Sequence, residues 1–76
     1  MAPADREARR AAEELTVAHR LFQRYEHKDT AWLIEFLLGE WRRVLGPDQT
    51  YEISRRARVE AARLEEIGVP LTGGIA

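Results

Sequence analysis

Apolar residues fall at Ala4, Ala8, Ala11, Leu15, Ala18, Phe22 and Tyr25, in alternating steps of four and three. That spacing keeps them on one side of a helix and predicts a first helix from Ala4 to His27. The seam is uneven. Small alanines fill its first half, and Leu15, Phe22 and Tyr25, widened by Val17 and Leu21, fill its second. Alanine is a strong helix former that buries little area, so the first turns call for a close-packed neighbour.

The stretch 31–45, AWLIEFLLGEWRRVL, has a different pattern. Trp32, Leu33, Ile34, Phe36, Leu37, Leu38, Trp41, Val44 and Leu45 cover most of the circumference of a helix. Glu35, Gly39 and Arg42 leave one narrow polar stripe. A helix apolar nearly all round is normally buried, so this segment calls for neighbours on at least two sides. Asp29 and Thr30 carry side-chain oxygens suited to cap its free N–H groups. Gly46-Pro47 ends it. The short Lys28-Asp29 link then predicts an antiparallel helical hairpin.

A third helix is predicted from Asp48 or Thr50 to Ile67, burying Ile53, Ala57, Ala61, Leu64 and Ile67. Gly68, Val69 and Pro70 give it a Schellman-type stop, the clearest boundary signal in the chain. Glu52 and Arg56 stand at the favourable i, i+4 spacing on its outer surface. The expected architecture is an all-α, three-helix domain over residues 4–68: an antiparallel hairpin with the third helix packed on the second, followed by a mobile tail at 69–76. With the second helix in the middle, apolar surface is still left over, which predicts homodimerisation or docking on a larger protein.

Size and composition narrow the function classes. A chain of 76 residues makes one domain, and a core this small gives about 3–5 kcal/mol of net stability. Cysteine is absent, which removes disulfides and thiolate metal sites and fits the reducing cytoplasm. No secretory leader and no membrane-spanning run is expected. Twelve basic residues stand against thirteen acidic ones, so no cationic footprint for nucleic acid or lipid stands out. The mixed charge and alanine-rich face of the first helix also argue against an interfacial membrane helix.

Candidate chemistry is sparse. His19 and His27 sit two turns apart, about 12 Å along a helix axis, too far to share one metal ion. Neither belongs to a metal-ligand motif. Glu35 inside the apolar segment would gain a raised pKa if buried, but it reads more simply as part of the polar stripe. No nucleophile elbow or phosphate-binding glycine loop is present. No catalytic residue, metal or cofactor is therefore expected. Gly39 marks either a close helix crossing or a tolerated exposed position.

The leading expectation is a small protein-interaction module, not an enzyme, acting through Trp32, Phe36 and Trp41, with Leu33 and Leu37 shared between core and contact. The alternative is a helical regulator touching nucleic acid through Tyr51, Arg55 and Arg58 on the third helix. Glu52, Glu60, Glu65 and Glu66 on that helix, and Arg42 four residues before Gly46, count against it.

Overall fold

A computed structural model describes residues 3–71. Three helices follow one another, α1 (Pro3–Tyr25), α2 (Lys28–Leu45) and α3 (Pro47–Ile67), and no strand occurs among the described residues. The Cα radius of gyration is 12.3 Å, close to the about 11 Å of a folded chain of this length.

The links differ in detail from the sequence expectation. α1 ends two residues early, at Tyr25, and Glu26 turns the chain with φ +43, a left-handed conformation that non-glycine residues adopt at a cost. The cap of α2 is neither Asp29 nor Thr30 but His27. Its Nδ1 accepts the Asp29 N–H at 3.1 Å, and its carbonyl accepts from the N–H groups of Thr30 and Ala31. An imidazole nitrogen thus does the work usually given to a short hydroxyl or carboxylate. Gly46 (φ +88) alone separates α2 from α3, with Pro47 in the first turn of α3.

The expected stop at Gly68 is present in full. Gly68 has left-handed angles, its N–H reaches the Glu65 carbonyl, and the Val69 N–H reaches the Leu64 carbonyl. Those two bonds define the Schellman motif. Val69 also accepts a hydrogen bond from the Arg20 guanidinium through its carbonyl, so this start of the expected tail is tied down. Residues 72–76 of that tail lie outside the described residues.

The packing order departs from the expectation that α3 lies on α2. α3 packs chiefly on α1, and its contact with α2 is the smallest of the three. The reason lies in the alanines. Ala11, Leu15 and Ala18 on α1 and Ala57 and Ala61 on α3 are all buried, and small side chains let two helix axes approach closely. Ala11 and Ala18 of the alanine face thereby gain close cover, and Ala8 is half-buried. α1, not α2, is the middle helix. Ile67, expected inside, is 61% exposed, and Thr50, not expected inside, is buried near the start of the helix.

Thr50 Oγ1 has no hydrogen-bond partner. A buried hydroxyl without a partner costs free energy that a methyl of the same shape does not. Thr50→Val is expected to raise stability by about 1 kcal/mol. A urea titration checks this: an unchanged or lower midpoint would mean that the hydroxyl is satisfied in solution.

Candidate functional site

Moving α2 to the outside of the bundle splits its apolar surface in two. Trp41 turns inward and is 6% exposed. Its indole N–H donates to Glu14 Oε1 at 2.9 Å, and the Arg10 guanidinium lies 5.8 Å from its ring centre. Arg10 in turn lies 3.6 Å from Glu14, so three side chains clasp the α1–α2 seam. Trp32 turns outward and is 64% exposed. It stacks on Phe36, one turn along, with ring centres 5.3 Å apart. Phe36 is itself 41% exposed, and Val44, two turns beyond it, is exposed as well. Leu33 and Leu37 are half-buried.

Of the five residues expected to bind a partner, Trp32 and Phe36 therefore stand free, Leu33 and Leu37 are partly available, and Trp41 belongs to the core. Glu35 is exposed, as its place on the polar stripe implied.

Two shallow grooves adjoin this face. One, of about 310 Å³, runs between α1 and α2 over Val17, Ala18, Leu33 and Leu37, with Glu13 and Glu14 at its edge. The other, of about 330 Å³, continues past Phe36, Leu37, Trp41 and Val44, edged by Glu7, Arg10, Glu14 and Glu40. Leu37 and Glu14 line both, so the two form one trough along the α1–α2 seam.

A β-carbon built on Gly39 meets nothing within 4 Å. The close helix crossing considered for this position does not occur among the described residues. Gly39→Ala is thus expected to stabilise the isolated domain by about 1 kcal/mol, because glycine inside a helix has entropy to lose and no contact to defend here. A rise in Tm of several degrees checks it. A fall would show that the position packs against something.

The alternative set gathers elsewhere. Tyr51, Arg55 and Arg58 lie along one side of α3 and meet His19 and Ser54 around a recess of about 80 Å³. His19 Nε2 is 3.5 Å from Ser54 Oγ. Arg55 is engaged by Glu52 at 3.1 Å. His19, to which the sequence spacing gives no role, is half-buried in this recess. Burial, aided by the Arg58 charge facing it from α3, holds its imidazole below the ordinary value of 6.5. The unfolded chain then binds the proton more tightly than the folded one. This contribution to stability is complete above pH 6.5 and is lost as the pH falls toward the folded value. His19→Gln is expected to flatten the Tm-against-pH curve in that window, and a curve identical to wild type would contradict it.

The residue that sequence reasoning missed is Arg20, 5% exposed on α1. Its Nε lies 3.3 Å from Glu65 Oε1, and it also donates to the Val69 carbonyl. Arg24 approaches the same carboxylate at 2.8 Å. Burial pushes the Glu65 carboxyl up, but the two guanidiniums outweigh it and hold the group below its usual range. This cluster is a structural clamp joining the end of α3 to α1.

Among the described residues no three His, Asp or Glu side chains cluster so as to hold a metal ion, and no helix is long and apolar enough to cross a membrane. No protein-family model, curated protein or solved structure matches the chain.

Proposed function

We propose that the chain is a small helical interaction module that holds a protein, or a second copy of itself, on the outward face of α2 and the adjoining seam with α1. The observation that carries this reading is the exposed Trp32–Phe36 stack. Large exposed apolar surfaces on a small domain usually mark binding, and aromatic anchors dominate binding energy. Binding, not bond-making, suits shallow grooves lined mainly by apolar side chains.

The test is a Trp32→Ala/Phe36→Ala variant with an unchanged circular dichroism spectrum. Such a variant should lose whatever association the wild type shows. Sedimentation at tens of micromolar reads self-association directly, and affinity retention of a host protein reads a foreign partner. A wild type that stays at 8.8 kDa and retains nothing overturns the reading.

The convergence of Tyr51, Arg55, Arg58 and His19 on one recess favours a second reading, contact with nucleic acid through α3. Two arginines on a chain of net charge -1 supply few phosphate contacts, and such contacts carry most of that affinity. Salt-dependent binding to duplex DNA, weakened by Arg55→Ala and Arg58→Ala, would establish it.

A further inference from the structure

We infer that the trough along the α1–α2 seam receives a basic amphipathic helix from another protein. The inference rests on the interaction-module reading and names the partner's chemistry.

Shape comes first. The floor runs along α2 from Leu33 to Val44, which is about 16 Å, or three helical turns, at 1.5 Å per residue. Its apolar side chains come from two packed helices, α1 and α2, and that arrangement fits the rounded side of a third. An amphipathic helix laid in an apolar groove is a recurrent mode of recognition, with anchors at i, i+3 or i+4, and i+7. The trough supplies a run of apolar floor of that length, and Phe36, under the exposed Trp32, forms its lip.

Charge selects the occupant. Glu7, Glu13, Glu14 and Glu40 edge the trough, and Arg10 is the one basic residue among its lining. Glu14 is shared with Arg10 and Trp41, and Glu40 lies 3.3 Å from Arg43. Glu7 and Glu13 make no ion pair among the described residues. An acidic border around an apolar floor attracts a helix whose flanks carry Arg or Lys and repels one whose flanks carry Glu. The same border disfavours a second copy. In a two-fold contact each surface meets itself, so two net-acidic borders would face one another with few cations to meet them.

Fluorescence anisotropy with labelled helical peptides about four turns long tests the inference on the full chain. The probes share leucines at the anchor spacing and differ only in flanking residues, Arg in one and Glu in the other. The Arg-flanked peptide is expected to bind at least about tenfold more tightly. Its advantage should shrink as salt rises from about 0.05 to 0.5 M and border charges are screened. Glu7→Gln/Glu13→Gln, two surface changes that leave the core intact, should remove most of the advantage. Leu37→Arg, which blocks the floor, should abolish binding of both peptides.

Equal binding of the two peptides would overturn the basic-helix inference and leave the interaction module standing. Self-association that protects the trough, with no peptide bound, would overturn it in favour of a second copy. A monomer that binds neither peptide would also overturn it, and the module reading would then rest on the Trp32→Ala/Phe36→Ala experiment alone.

Discussion

Trp41→Ala is expected to lower stability by about 3–5 kcal/mol, the usual cost of truncating a buried tryptophan. The side chain is 6% exposed and wedged between α1 and α2. Removing it leaves a void where the α1–α2 contact is closed by Glu14 and Arg10. Glu14, with its side chain 40% exposed, regains water when the indole goes, so the loss is one of packing more than of a stranded charge. Because a core of this size yields about 3–5 kcal/mol in all, the variant should be largely unfolded or marginal at room temperature. Trp32→Ala should change stability by less than about 0.5 kcal/mol, the usual range for exposed positions. Thermal melts of the two variants side by side read the sidedness of α2. A stable Trp41→Ala beside an unfolded Trp32→Ala would invert it.

Arg20→Ala is the second large effect, a loss of about 2–3 kcal/mol, or a fall in Tm of about 10–20 °C for a domain of this length. The change orphans the carbonyl of Val69, the residue whose N–H caps the end of α3, and unfastens that end from α1. Arg24 still holds Glu65, which limits the damage. Arg24→Ala should cost clearly less than Arg20→Ala, since its side chain is 36% exposed and exposed ion pairs contribute little. The clamp also has a pH signature. Glu65 titrates below its ordinary value of 4.5 in the folded chain, so the unfolded chain takes up the proton first. The contribution is complete above pH 4.5 and disappears as the pH falls through the folded value. Glu65→Gln should weaken that acid-side decline, measured as Tm against pH. An unaltered decline would place its origin elsewhere.

The legible parts of the fold were those written in local chemistry. Three helices followed from apolar spacing, and the stop at Gly68 followed from a glycine, a valine and a proline in series. The break at Gly46-Pro47 was equally local. The packing order was not legible, because α2 is apolar on nearly every side and its pattern names no inward face. What decides the matter is the alanines of α1 and α3, whose small size rewards close approach. Greasy surface on α2 suggested that it should sit in the middle, and the closeness that Ala11, Ala18, Ala57 and Ala61 permit displaced it. Nine residues at about 100° each put Trp41 half-way round the helix from Trp32, so spacing alone separates the two tryptophans, and grouping them by residue type overrode that signal.

Arg20 escaped notice for another reason. Its partners lie 45 and 49 residues away, and nothing in the local pattern marks a charged residue off the seam as buried. The one available hint was Arg20 and Arg24 standing one turn apart, able to share a carboxylate. His27 as a cap was hidden because capping is usually sought among Ser, Thr, Asp and Asn.

The two tryptophans offer a direct reading of whether α2 presents a binding face, because each indole N–H gives its own NMR signal. In the free chain the Trp41 signal should resist hydrogen exchange and the Trp32 signal should exchange rapidly with water. On titration with the Arg-flanked peptide, the Trp41 indole, whose Glu14 acceptor borders the trough, should shift, and Trp32 should shift with it through its stack on Phe36. Two protected indoles in a free monomer, or a Trp32 signal that stays still at saturating peptide, would contradict an open face on α2.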